Sequence, residues 1–362
     1  MERFAFVIHP FEPKDVARKG GIYSLALHLP DRVVESLMKR KSPIVTSHIT
    51  GIRSATGAEA EGWFIGCPLT PRQFLEEPEA FVYNRLVQCG EQAIELGAKI
   101  IGLGAFSSVV GDGGLTVAQR LGGRIAVTTG NSYTVATAVE GAKRAAALMD
   151  TPIEDAHVAI VGAAGSIGRT CALLLATDAR QVTLVGRNRA RLEPVLAEVA
   201  TRNPNVAIAE SVADGLADAD LIVTVTSAAD AVILPEHLKR GAVVCDVARP
   251  RDVSARVSRE RPDVLTIEGG VVSVPGEVEF NFEFGFPKRT AYACMSETMM
   301  LALDGRYENF TLGKEVSVAQ AEETQRLAAK HGFKLAGFRS FEKEVTDETI
   351  AAVRRAAGRK ID

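Results

Sequence analysis

The chain has 362 residues, 46% of them hydrophobic and 24% charged, with a net charge of −3. This length accommodates two domains with separate cores, and the charge balance excludes a basic surface for nucleic acid. Apolar runs are strand-sized, so no stable membrane insertion is expected, and five scattered cysteines without a C-x-x-C pair fit reduced thiols in a cytoplasmic protein rather than zinc or disulfides.

Residues 4–8 read as a strand, and 81–96 have helical periodicity ending at Gly97. Residues 99–103 and 124–128 read as further strands, each running into a loop rich in Gly, Ser, Thr or Asn. Val135, Val139, Ala142 and Ala146 fall at helical spacing, which predicts a bridging helix over 132–149 that ends before Thr151-Pro152. Residues 1–150 are therefore expected to form an α/β substrate domain.

An apolar strand, 157–161, leads into Gly162-Ala-Ala-Gly165-Ser-Ile-Gly168 and then a helical segment. Strand, glycine turn and helix in this order form the phosphate-binding start of a dinucleotide unit. Gly162 permits the turn, the backbone of Ala164, Gly165, Ser166 and Ile167 can approach a pyrophosphate, and Gly168 allows helix to pack on strand. The spacing is G-x-x-G-x-x-G, so the context must carry the assignment. Segments 181–186, 221–225, 242–246 and 264–267 supply that context as strands alternating with helical stretches. They predict a Rossmann-type, doubly wound parallel sheet over 151–272. After the second strand stands Gly186-Arg187-Asn188-Arg189, with no acid for a ribose 2′-hydroxyl. Arginines there suit a 2′-phosphate, so the expected cofactor is NADPH. Thr226-Ser227 and Gly269-Gly270 follow later strands and are expected to meet the nicotinamide ribose and ring. The remaining segment, 273–362, reads as mostly helical, with a helix from about Arg289 and a charged amphipathic tail from Val316, packing on both domains.

Several motifs together resemble one family. They are Arg53-Ser-Ala-Thr-Gly57, Gly66-Cys-Pro-Leu69, Gly102-Leu-Gly-Ala-Phe-Ser-Ser108, Thr128-Thr-Gly-Asn-Ser-Tyr-Thr134, the glycine loop, Gly269-Gly-Val-Val272 and Ala291-Tyr-Ala-Cys-Met-Ser-Glu-Thr-Met-Met-Leu301. In order and approximate spacing, over roughly 45–335, they resemble the long-chain acyl-(acyl-carrier-protein) reductases of cyanobacteria. The stretch from Pro10 to Ile44 departs from that pattern, and the tail after Phe338 extends beyond it. The resemblance implies reduction of an acyl-carrier-protein or CoA thioester to a fatty aldehyde by NADPH through a cysteine acyl-enzyme. It also implies a downstream aldehyde-using enzyme as a partner.

Cys294 is the nucleophile this resemblance implies. A helix N-terminus and the cations Lys288 and Arg289 would lower its pKa and supply thiolate. The alternative is a small buried hydrophobe. Cys67, before Pro68, is a weaker candidate for lining the pocket, and Cys89, Cys171 and Cys245 read as core. Negative charge on the acyl oxygen needs donors. Ser107, Ser108, Asn131 and Ser132 follow strands of the first domain; Asn131 and Ser132 could contact the acyl oxygen or the nicotinamide side, and either could equally cap the next helix. Glu297, one helical turn after Cys294, reads either as part of a proton relay or as a solvated or capping carboxylate. Two rivals stand beside this reading: a carbonyl oxidoreductase similar to shikimate dehydrogenase, for which no Lys–Asp pair is found at the strand ends, and a non-catalytic NADP-binding protein.

Overall fold

Phe4, Ala5, Phe6 and Val7 are all buried, so the first strand is covered on both faces. That is the environment of a central parallel strand. The computed structural model describes residues 1–360 except Gly20, Val110, Ala229, Arg249, Phe284, Phe286 and Glu342, and no side chain is described for Arg18, Lys19, Ile22, Tyr23 or Val109. The chain is α/β, as expected, and forms two units, each with a six-stranded sheet.

The first unit comprises Met1–Gly130, Val274–Lys314 and Arg326–Phe333. Its strands are β1 (Glu2–Ile8), β2 (Ile44–Arg53), β3 (Glu59–Gly66), β4 (Ile100–Gly102) and β5 (Ala126–Thr128), with Gly276–Glu279 added at one edge. The order is Gly276–Glu279, β2, β3, β1, β4, β5. β3, β1, β4 and β5 are parallel, whereas β2 is antiparallel to β3. The parallel strands therefore reverse their winding between β1 and β4. The β2–β3 hairpin closes at Ser54–Gly57, where Gly57 takes φ +86° and Ser54 N–H donates to Ala58 O at 2.8 Å. The helix Glu79–Glu95 buries Val82, Leu86, Cys89 and Ala93, a stripe at helical spacing. The helix Ala293–Leu303 is buried at nearly every position and packs on β1 and β4.

The second unit comprises Asn131–Ser273, Glu315–Gln325 and Lys334–Asp362. It contains β6 (His157–Val161), β7 (Gln181–Val185), β8 (Val206–Ala209), β9 (Leu221–Thr224), β10 (Val243–Asp246) and β11 (Leu265–Glu268). All are parallel, in the order β11-β10-β9-β6-β7-β8. This is the doubly wound dinucleotide arrangement, with its switch point between β6 and β9. The helix Asn131–Leu148 buries Val135, Ala138, Val139, Ala142 and Ala146 in the same core as Val158 and Ile160.

Two expectations need correction. The helix expected from about Arg289 begins at Ala293, because Arg289 sits at φ +61° and Thr290–Tyr292 is a strand. The tail after Val316 is not helical throughout: between the helices Val318–His331 and Asp347–Ala356 lie short strands at Lys334–Leu335, Phe338–Ser340 and Lys343–Val345. Strands of two or three residues carry no readable period.

Candidate active site

In the second unit, β6 ends directly before Gly162, whose φ of +86° favours glycine. A Cβ there would lie 2.6 Å from Val225 O, just beyond β9. A Cβ on Gly168 would lie 2.3 Å from Gly162 O. The glycine loop is thus drawn tightly against the end of β9 at the switch point. Gly165 N–H donates to Gly162 O at 2.9 Å, and Ala164, Gly165, Ser166 and Ile167 are at least partly open to solvent ahead of the helix Ser166–Ala176. The N–H groups of a helix's first turn have no partner within the helix, so this loop fits a pyrophosphate.

Asp252, a residue that the sequence reading missed, organises the neighbouring loop. It is fully buried, and Oδ2 accepts from Thr224 Oγ1 at 2.6 Å and Thr226 N–H at 2.8 Å, while Oδ1 accepts from Thr226 Oγ1 at 2.5 Å. The Thr226 hydroxyl is therefore taken up by Asp252, and Ser227 is the exposed member of the pair. Gly270 after β11 takes φ +82°, and a Cβ on Gly269 would lie 3.0 Å from Val247 Cγ2.

The two arginines after β7 differ. Arg187 is exposed and makes no ion pair among the described residues. Arg189 faces Glu193 at 3.3 Å and Glu210 at 3.6 Å. Asn188 caps the helix Arg189–Ala200 by accepting from Arg191 N–H at 3.2 Å.

In the first unit, Cys294 occupies the first turn of the helix Ala293–Leu303. It lies against Gly130, where a Cβ would come within 2.4 Å of the Cys294 Cα. Gly130 has φ +75° and donates its N–H to Thr128 Oγ1 at 3.3 Å. Thr128 Oγ1 donates in turn to Glu297 Oε1 at 2.5 Å, and Thr311 Oγ1 donates to the same oxygen at 3.2 Å. Glu297 is fully buried and hydrogen-bonded, so the solvated-carboxylate alternative is wrong. It fixes the loop that carries Gly130.

Of the five cysteines, only Cys294 retains exposed surface. The expected lowering of its pKa is contradicted: burial pushes the thiol up to about 12, the Glu297 carboxylate adding to the rise against an opposing backbone hydrogen bond from Met295. Arg289 is drawn to Glu277 instead, and Lys288 is exposed. Cys67 is wholly buried beside Cys89 in the core, which removes it as a pocket residue. Ser107 and Ser108 donate their hydroxyls to Gly104 O and Ala105 O, each at 2.7 Å. Asn131 and Ser132 are buried in the first turn of the second unit's helix Asn131–Leu148 rather than preceding it.

The sequence profile of the shikimate/quinate 5-dehydrogenase family matches residues 143–268, the region of the parallel dinucleotide sheet. The aminotransferase PigE of Serratia sp. is 30% identical over 98% of this chain, which spans only 42% of that protein. The long-chain acyl-[acyl-carrier-protein] reductase of Synechococcus elongatus is 27% identical over 89% of this chain and 94% of its own length. Among solved structures, an NAD-dependent malic enzyme from Thermotoga maritima aligns over 98% of this chain and 84% of its own, with 15% identity and a TM-score of 0.43, too low to carry an inference. The dehydrogenase profile and the reductase relative support an oxidoreductase with a nicotinamide cofactor. No helix among the described residues is long and apolar enough to cross a membrane.

Proposed function

We propose that the chain is an NADPH-dependent reductase that converts an acyl thioester, carried by CoA or an acyl carrier protein, into an aldehyde through acyl-Cys294. The observation that carries this reading is Cys294 itself: the one cysteine of the five that is not fully buried, in a helix's first turn, pressed against Gly130 just beyond β5. The 27% identity to an acyl-[acyl-carrier-protein] reductase supports the substrate class.

The loop from Gly162 to Gly168 would hold the pyrophosphate, Arg187 the 2′-phosphate, and Ser227, Gly269 and Gly270 the nicotinamide end. When bound, the reduced nicotinamide supplies hydride. Cys294 sulfur bonds to the acyl carbon, the carbon–sulfur bond to the carrier breaks, and the proton lost by Cys294 leaves on the carrier thiol. Hydride addition to the acyl carbon and loss of Cys294 sulfur then release aldehyde, and one solvent proton restores the thiol. Asn131 and Ser132, next in the chain after Gly130, are the proposed donors to the acyl oxygen. Because the resting thiol is protonated, deprotonation accompanies attack rather than preceding it. Glu297 acts by holding the Gly130 loop in place.

Mixing the protein with decanoyl-CoA without NADPH and measuring intact mass tests this directly. One added decanoyl group is expected on wild type and on Cys67→Ser, and none on Cys294→Ser. An unacylated wild type, or NADPH formed from shikimate and NADP, would overturn the proposal.

A further inference from the structure

The switch point of the first unit's sheet, between β1 and β4, holds a histidine with no part in the acyl transfer through Cys294. His9 follows β1 directly, and Phe106 lies just beyond β4. The His9 ring stands 5.1 Å from Phe74, 5.5 Å from Phe11 and 6.1 Å from Phe106, centre to centre. Its Nδ1 lies 3.1 Å from Pro10 O. A carbonyl oxygen only accepts, so Nδ1 carries the hydrogen and Nε2 carries a lone pair. Burial drives the pKa down to about 4, which keeps the ring neutral.

That Nε2 is buried and has no hydrogen-bond partner in the protein. A fixed, unsatisfied acceptor is costly to folding, and such groups call for an explanation. The crevice at a strand-order reversal, beyond the carboxyl ends of the strands, is where ligands bind in sheets of this kind. Phe11 and Leu75, the latter adjacent to Phe74, are 46% and 66% exposed, so apolar surface continues outward from the aromatic walls.

We propose that His9 is a substrate-recognition residue whose Nε2 accepts a hydrogen bond from an N–H or O–H group on an otherwise apolar ligand held among Phe11, Phe74 and Phe106. On the acyl-thioester reading, on which this inference rests, the donor is either an amide N–H of the thiol arm or a hydroxyl on the acyl chain.

The test measures binding by calorimetry in full-length Cys294→Ala protein, where no acyl transfer intervenes. The probes are the decanoyl thioester of N-acetylcysteamine, which has one amide N–H, S-ethyl thiodecanoate, which has no donor, and S-ethyl 3-hydroxythiodecanoate. Adding His9→Phe is expected to weaken at least one donor-bearing probe about tenfold, the equivalent of one hydrogen bond, and to leave S-ethyl thiodecanoate within twofold. Adding His9→Gln, which keeps an acceptor, is expected to recover part of the loss. Sensitivity of the first probe places the donor on the thiol arm, and sensitivity of the third places it on the acyl chain. Equal loss for all three probes, or no loss for any, overturns the inference alone. Failure of the Cys294→Ala protein to bind any of them overturns the acyl-thioester reading as well.

Discussion

Gly130 and Cys294 are in backbone contact: no atom larger than hydrogen fits between the Gly130 Cα and the first turn of the cysteine helix. Gly130→Ala would add a Cβ at a left-handed residue and drive it into Cys294. The expected cost is about 2–4 kcal/mol of stability from backbone strain and overpacking together. Loss of acylation should exceed what the unfolded fraction explains. Urea unfolding and intact mass on the same preparation check both, and a variant of wild-type stability and acylation would contradict the contact.

The raised pKa of Cys294 gives a prediction in pH. Only thiolate reacts with iodoacetamide, and with a pKa of about 12 its fraction grows roughly tenfold per pH unit. Alkylation of Cys294, followed by peptide mass, should therefore climb from pH 7 to pH 10 without a plateau. A plateau near neutrality would mean that the thiol is activated in the free protein.

The two arginines after β7 should separate in their effects. Arg187→Ala is expected to weaken NADPH by about 1.5–3 kcal/mol, a charge-assisted contact, while NADH binding stays unchanged. Arg189→Ala should cost less, because its guanidinium already faces Glu193 and Glu210. Fluorescence titration of both cofactors against both variants decides this, and equal losses for NADPH and NADH at Arg187→Ala would count against a 2′-phosphate contact.

His9 should make the protein acid-sensitive. Its pKa falls from 6.5 to about 4 on folding, so the unfolded chain takes up the proton first. Stability from this group is complete above about pH 6.5 and is lost as pH falls toward 4, by up to about 3 kcal/mol. Urea midpoints between pH 7 and pH 4 should show a steeper decline for wild type than for His9→Phe. Parallel declines would show that His9 titrates normally in the fold.

The dinucleotide sheet was readable because its strands are buried on both faces and separated by helices of ordinary length. The strands expected at 157–161, 181–186, 221–225 and 242–246 end within a residue of those observed. The β2–β3 hairpin was not read, since Ile44–Arg53 mixes Thr, Ser, His and Gly with apolar residues and its burial is interrupted. In the site, glycines and the cysteine announced themselves by type. Asp252 did not, because a lone Asp in a loop gives no sign that it will be buried beneath three donors. The thiol pKa was misjudged for a related reason: Lys288 and Arg289 are near Cys294 in sequence, but Glu277 claims Arg289 and burial outweighs the helix end.

One contact sets an order on synthesis. Ser54 Oγ lies 2.8 Å from His331 Nδ1, and His331 Nε2 lies 3.1 Å from Asp304 Oδ1, so the turn of the β2–β3 hairpin is tied to two segments made hundreds of residues later. The helix Ala293–Leu303, which covers β1 and β4, also emerges after the whole dinucleotide sheet. On the ribosome, the six parallel strands of the second unit are complete while the first unit still lacks the helix that seals it. Ala5 and Val7 on one face of β1 are already covered by the helix Glu79–Glu95, but Phe4 and Phe6 on the other face must wait uncovered in the interval, so the first half of the chain should depend on chaperones during translation more than the middle does.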